Sequence, residues 1–232
     1  SPDVLGERSL APMQSKAPSC NGMMTCQPRR ALGSAHGLLR VSAGMAYPQP
    51  MATEWTAEVV AALPDDGTRY EVLDGELVIL PAPSWDHQRM VLALCDVLSS
   101  YLRTTGLGET IVAPADVEFS QRRLLEPDLF VVPRAPGQRR PRTYADAKRL
   151  LLAIEVLSPS TARRDRGIKR RIYMEEVVDE YWIVDVDAWC VERWHRGEER
   201  PEIVTEALAW MPEGAVEPLV IDVPSFFREA LS

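Results

Sequence analysis

The stretch Leu150-Leu-Leu-Ala-Ile-Glu-Val-Leu157 constrains the fold more than any other part of this chain. Every residue in it except Glu155 is apolar. It lacks the alternation of a half-exposed strand and reads instead as a strand apolar on both faces, the pattern of a central strand covered by helices. Glu155 is the anomaly. An ionised carboxylate left unpaired in such a strand costs on the order of several kcal/mol. A cation, an arginine or a bound proton must compensate it.

With 232 residues the chain has room for one large domain. Residues 1–50 are dominated by Ser, Pro, Gly, Ala and Met and keep no periodicity, so they read as a disordered N-terminal extension. Met51 is the expected natural start, with the preceding residues an artefact of upstream translation or expression, and residues 51–232 form the domain. Thr53 is placed to cap a helix running to Leu63. Tyr70–Leu73 and Glu76–Leu80 flank Asp74-Gly75, the tight-turn dipeptide of a hairpin. Ser84 is the expected cap of a long helix to about Thr104. Strands are expected at 110–112, 116–119, 129–132 and 150–157. A helix over 162–177 follows, then strands at 180–186, 190–194, 203–207 and 219–222. Strands mixed with two substantial helices predict an α/β sheet flanked by helices.

Charge excludes one class of function. Residues 1–50 carry Arg8, Lys16, Arg29, Arg30 and Arg40 against Asp3 and Glu7, which leaves 21 basic and 32 acidic residues in the remainder. A net charge of −11 there argues against a protein that coats nucleic acid nonspecifically, though not against a local basic groove. Cys20, Cys26, Cys95 and Cys190 lack the paired spacing of a zinc site and are expected to be free thiols. Nothing approaches the roughly 20 apolar residues of a membrane helix, so no membrane association is expected, and the cytosol is the default compartment.

Asp128, at the entrance to Leu129-Phe-Val-Val132, is a second acid beside a buried strand. Asp128 as a turn cap and Glu155 as the partner of an arginine would account for each acid singly. Together they make a pair of hard oxygen ligands suited to Mg²⁺ or Mn²⁺. Just beyond, Asp165, Lys169 and Tyr173 fall at i, i+4 and i+8 on one helix flank. Lys148 and Lys169 are the two lysines after Met51, against nineteen arginines. A lysine in so arginine-rich a chain marks a place suited to a compact ammonium charge. An ordinary surface pair between Asp165 and Lys169 is the competing reading.

Taken in order, Tyr70-Glu-Val-Leu-Asp-Gly-Glu76, Trp85-Asp-His87, Pro127-Asp128, Glu155-Val-Leu-Ser-Pro-Ser-Thr161, Asp165, Lys169, Tyr173 and Glu180-Tyr-Trp-Ile-Val-Asp185 resemble the Uma-two family. That bacterial family belongs to the PD-(D/E)xK nuclease superfamily, and the resemblance covers nearly all of residues 52–230. It implies a restriction-endonuclease-like mixed β-sheet flanked by helices, and a Mg²⁺- or Mn²⁺-dependent endonuclease acting on DNA, with RNA not excluded. Asp128 and Glu155 would be the metal ligands, with Glu71 the acid preceding the core strands. Lys169 would replace the superfamily lysine, which lies two residues after the second acid, where this chain has Leu157. His87, Asp165 and Tyr173 are accessory candidates. Arg163, Arg164, Arg166 and Arg170 are candidates for the nucleic-acid backbone, as are Arg139, Arg140, Arg142 and Lys148 unless they form only a solvated face. The superfamily resemblance is consistent with a homodimer. The alternative is a catalytically silent nuclease-fold module that binds nucleic acid or protein; retention of Asp128, Glu155 and Lys169 together favours the enzyme.

Overall fold

The computed structural model describes residues 54–134, 137 and 139–232; the expectations for residues 1–50 and for Thr53 lie outside these. The chain begins with α1 (Ala57–Ala61), β1 (Tyr70–Leu73), β2 (Glu76–Ile79) and α2 (Trp85–Thr105). Next come β3 (Gly108–Val112), β4 (Val117–Ser120), β5 (Arg123–Leu125), β6 (Leu129–Pro133), α3 (Tyr144–Ala147) and β7 (Leu150–Val156). After β7 a helical run comprises α4 (Ala162–Arg164), a π-helical turn (Asp165–Lys169) and α5 (Arg170–Glu175). β8 (Val178–Asp185), β9 (Cys190–His195), β10 (Glu202–Val204), β11 (Ala207–Trp210), β12 (Leu219–Asp222) and α6 (Val223–Leu231) complete the fold.

The main sheet has the order β10-β9-β8-β7-β6-β3. As expected, β7 is central and buried along its whole length. It pairs parallel with β8 and antiparallel with β6. The parallel step needs a crossover, which the helical run after β7 supplies. Side chains alternate between two cores. Leu152, Ile154, Trp182 and Val184 pack on one side with Met90, Leu94 and Leu98 of α2 and Phe227 of α6. On the other side Phe130, Ala153, Tyr181 and Ile183 pack with Ile172 and Tyr173 of α5 and with Leu73 and Leu125 of a smaller antiparallel sheet. That sheet has the order β2-β1-β5-β4. Parity places Asp128 and Glu155 on this second face, towards α5 and the small sheet.

Two local signals behave as anticipated. Asp74 (φ 53°) and Gly75 (φ 92°) take the left-handed conformations that a two-residue hairpin turn requires. Ser84 caps α2, its hydroxyl accepting from the His87 N–H at 3.2 Å, and Gly106 (φ 71°) ends it. Elsewhere the structure corrects the reading. Thr56 caps α1, its hydroxyl accepting from Val59 N–H at 3.2 Å, and the helix stops at Ala61 rather than Leu63. Pro64 disfavours helical geometry at Leu63. The strand expected at 203–207 is two: β10 pairs with β9, whereas β11 pairs with β12 as a separate ribbon. The helix expected to reach Val177 ends at Glu175. β5, α3 and α6 were not anticipated. Of these α6 carries legible signals: Asp222 accepts from the Ser225 N–H at 2.9 Å, and a proline lies in the first turn.

Candidate active site

Asp128 precedes β6 and Glu155 lies near the end of β7. Because the strands are antiparallel with Leu129 opposite Ile154, the two acids come to the same end of the sheet. Asp128 Oδ2 accepts the Val156 N–H at 2.8 Å, tying the acid to the end of the neighbouring strand. The His87 ring shares a hydrogen bond with the same oxygen, Nε2 to Oδ2 at 3.1 Å. His87 gets there because Ser84 fixes the first turn of α2, so the cap and the site share one residue.

Glu71 comes from the small sheet. It is fully buried on β1, and its Oε1 accepts the Glu126 N–H at 2.9 Å. Lys169 arrives from the helical run after β7. Its Nζ lies 2.6 Å from Glu155 Oε1, 2.8 Å from Glu71 Oε1 and 4.0 Å from Asp165 Oδ1. Asp165 and Lys169 bound the π-helical turn and are both buried, followed one turn later by buried Tyr173. Such single wide turns recur at functional sites. The Tyr173 hydroxyl donates to Glu155 Oε1 at 2.8 Å, and the Tyr181 hydroxyl donates to the Asp165 carbonyl at 3.2 Å. Asp128, Glu155, Lys169, Glu71, Asp165, Tyr173 and His87 are thus all brought together.

The charges do not balance: three carboxylates lie within 4.0 Å of one ammonium, and Asp128 adds a fourth at the same end of the sheet. Burial pushes the Glu155 carboxyl well above the usual range; Lys169 pulls it down, while Asp128, Asp165 and Glu71 push it further up. Burial likewise raises Asp165, against the pull of Lys169. At Lys169 burial works against the ammonium, but Glu155, Glu71 and Asp165 outweigh it, so proton affinity rises. Burial and the Glu155 charge raise the Tyr173 hydroxyl well above its ordinary value, so it stays a donor.

The donor chemistry fits a hard divalent cation. Glu71 Oε2 and Asp165 Oδ2 are buried with no hydrogen-bond partner, and the surplus ligands are carboxylate oxygens. As the side chains stand, no three acids or histidines among the described residues converge on one point. Lys169 Nζ bonds to both Glu71 and Glu155. Asp128 and Glu155 remain the pair that opens on a cleft of about 350 Å³, lined also by His87, Lys169, Arg69 and Glu126.

Arg69 and Glu126 were missed in the sequence. Arg69 Nη1 pairs with Glu126 Oε1 at 2.6 Å. Burial raises the Glu126 carboxyl; Arg69 pulls it back, and Asp116 and Glu71 add to the rise. Both residues directly adjoin recognised blocks, Arg69 before Tyr70-Glu71 and Glu126 before Pro127-Asp128. Their meeting across two strands has no signature in local spacing.

The arginines divide. Arg166 pairs with Glu192 and Asp185, its Nε 2.6 Å from Glu192 Oε1 and its Nη2 2.8 Å from Asp185 Oδ2. Arg170 stacks over Trp194 at 4.6 Å. Both are occupied by the fold. Arg163 is exposed, and Arg164 is partly buried with Nη1 lacking a partner. Arg139, Arg140 and Arg142 surround Pro133, at the end of β6 opposite Asp128, and Arg140 pairs with Glu109 at 3.2 Å.

No helix among the described residues is long and apolar enough to cross a membrane. None of the curated proteins compared matches the chain. Among solved structures, one from Anabaena variabilis, described as "a putative nuclease belonging to DUF820", superposes with a TM-score of 0.62 over 76% of this chain and 99% of that one. At 17% identity the likeness is one of fold. A family profile described as "Putative restriction endonuclease" matches residues 57–223, well over half of the chain and every acid of the cluster. The chain belongs to that family, Uma2.

Proposed function

We propose that the chain is a Mg²⁺- or Mn²⁺-dependent endonuclease that hydrolyses phosphodiester bonds in DNA. One observation carries the reading: Lys169 Nζ, buried in the fold, lies within 2.8 Å of carboxylates from two different sheets, beside a cleft that Asp128 and Glu155 line. A purely structural ion pair does not account for two further buried carboxylate oxygens without partners.

Asp128 and Glu155 would hold the divalent cation, with Glu71 nearby. When bound, the cation supplies Lewis-acid charge at the scissile phosphate and makes a coordinated water more acidic. Val156 N–H and His87 orient Asp128. Tyr173 and Lys169 hold Glu155 Oε1, which fixes how that carboxylate faces the cleft. Lys169 keeps its proton and offers a point charge that stabilises negative charge developing on the phosphate. Arg69, the other permanent cation lining the cleft, would contact an adjacent phosphate oxygen, its planar fork suited to that geometry.

The test is cleavage of plasmid, linear and single-stranded DNA, and of RNA, across a Mn²⁺ and Mg²⁺ titration. Cutting that needs metal and falls at least a hundredfold in Asp128→Ala and Lys169→Ala is expected. A second reading, a catalytically silent module, draws on the neutralisation of Lys169 by Glu71 and Glu155. Metal-dependent stabilisation with no cleavage of any substrate would favour it over the enzyme.

A further inference from the structure

The block Trp85-Asp86-His87 enters the site through His87, while Trp85 has no part in the chemistry. Trp85 is 83% exposed, against 41% for Trp189, the other tryptophan with substantial exposure. Trp85 lies between Ser84 and Asp86, and both of those residues, with His87, line the 350 Å³ cleft. The helix asks nothing of it: Ser84 supplies the cap, and the buried stripe of α2 runs through His87, Met90, Val91 and Leu94. A large indole left in water, next in sequence to residues that line a cleft, is a platform for a flat ligand.

Two further observations narrow that ligand. The acids and the lysine are recessed, with Glu155 and Lys169 3% exposed and Glu71 at 0%, so a phosphodiester must enter the cleft to meet them. The cleft also offers little net positive charge: Lys169 and Arg69 are each paired with carboxylates, and Asp86 and Asp187 add negative charge to its lining. A stiff duplex carries one charge per about 1.7 Å and gains its affinity by neutralising phosphates. Residues 51–232, with a net charge of −11, are poorly suited to that. An unpaired strand is flexible, and its bases stack on exposed aromatic rings whatever their sequence.

We propose that the substrate is unpaired nucleic acid, a single strand or the frayed end of a duplex, with a nucleobase beside the scissile phosphate stacked on Trp85. This deepens the nuclease reading by naming its substrate class, but the stacking can be measured without cleavage.

The experiment is fluorescence anisotropy of labelled oligo(dT) and of a hairpin duplex of equal length on the full chain, in EDTA and in Ca²⁺. Oligo(dT) is expected to bind at least tenfold more tightly than the hairpin. Trp85→Ala should weaken oligo(dT) binding about tenfold or more and leave the hairpin unchanged, while Trp85→Phe retains most of the affinity. Because Trp85 is exposed, thermal unfolding of both variants should match wild type. Equal or tighter hairpin binding, unchanged affinity in Trp85→Ala, or no binding of either probe overturns the inference. So does a dimer in sedimentation that Trp85→Ala dissociates with oligonucleotide binding unaltered, since the indole would then seat a second copy. Trp85-dependent binding without metal-dependent cleavage would sink the nuclease reading alone.

Discussion

At Lys169 the ammonium joins Glu155, in the middle layer of the fold, to Glu71, from the smaller sheet. Breaking a buried ion pair from one side leaves an uncompensated charge, at a cost of about 3–5 kcal/mol. Lys169→Ala should therefore lose about 3 kcal/mol in urea unfolding at pH 8 with EDTA present. The deficit should shrink as pH falls. Burial already raises the Glu155 carboxyl, so the folded state binds more protons than the unfolded one above pH 4.5, and acid favours it. Millimolar Mn²⁺ should restore part of the loss. A deficit independent of pH and metal would mean that the lysine stem, not its charge, matters. Tyr173→Phe, which removes one donor to the same carboxylate, should cost about 1.5–3 kcal/mol and lower the cleavage rate without changing metal stoichiometry.

Elements hold these residues in register through a charge network at the hairpin turn. Arg123 reaches Asp74 at 2.6 Å, Glu175 at 2.5 Å and Glu176 at 2.7 Å, and Arg171 reaches Asp74 at 2.6 Å. The network clamps the β1–β2 turn to α5, and so sets Glu71 against Lys169. Burial is the largest single influence on the Asp74 carboxyl and raises it, but Arg123 and Arg171 together outweigh it, and the net shift is downward. Its stabilisation is therefore present above the unfolded value of 3.8 and is lost as pH falls through the lower folded value. Asp74→Asn keeps a residue tolerant of the left-handed turn. It should cost about 1 kcal/mol at pH 7, with the difference from wild type vanishing once pH falls below the lowered folded value. A difference that persists at low pH would place the effect in the backbone turn.

Legibility followed the range of the signal. The Asp74-Gly75 turn, the Ser84 cap and the all-apolar β7 were readable because each is set by neighbours in sequence. Glu155 announced itself by breaking an apolar run. The split of the 203–207 strand was not readable, because Ile203 and Leu208 each suit a strand and only distant partners decide which. The pairing of Arg69 with Glu126 joins residues 57 positions apart. Arg166 and Arg170 looked like a nucleic-acid contact face, yet their partners Glu192, Asp185 and Trp194 lie on strands not linked to them by spacing.

For the whole molecule, the smaller sheet, the central strands and the helical run converge on one region whose negative charge exceeds its positive charge. Without an added cation that surplus opposes folding. A divalent ion should stabilise the protein by RT ln(1 + [M]/Kd), about 2.7 kcal/mol at a hundredfold excess over Kd, and EDTA should remove that gain. Monovalent salt at equal ionic strength should not reproduce it, because screening acts weakly on buried charges. A melting temperature indifferent to Mn²⁺ and EDTA would contradict this.

Calorimetric titration of Mn²⁺ into wild type, Asp128→Asn and Glu155→Gln decides whether these two acids hold a divalent cation. One saturable site per chain is expected in wild type, weakened at least tenfold in each variant while both remain folded. Binding that survives both substitutions unchanged, or no binding to the wild-type chain at all, would contradict it.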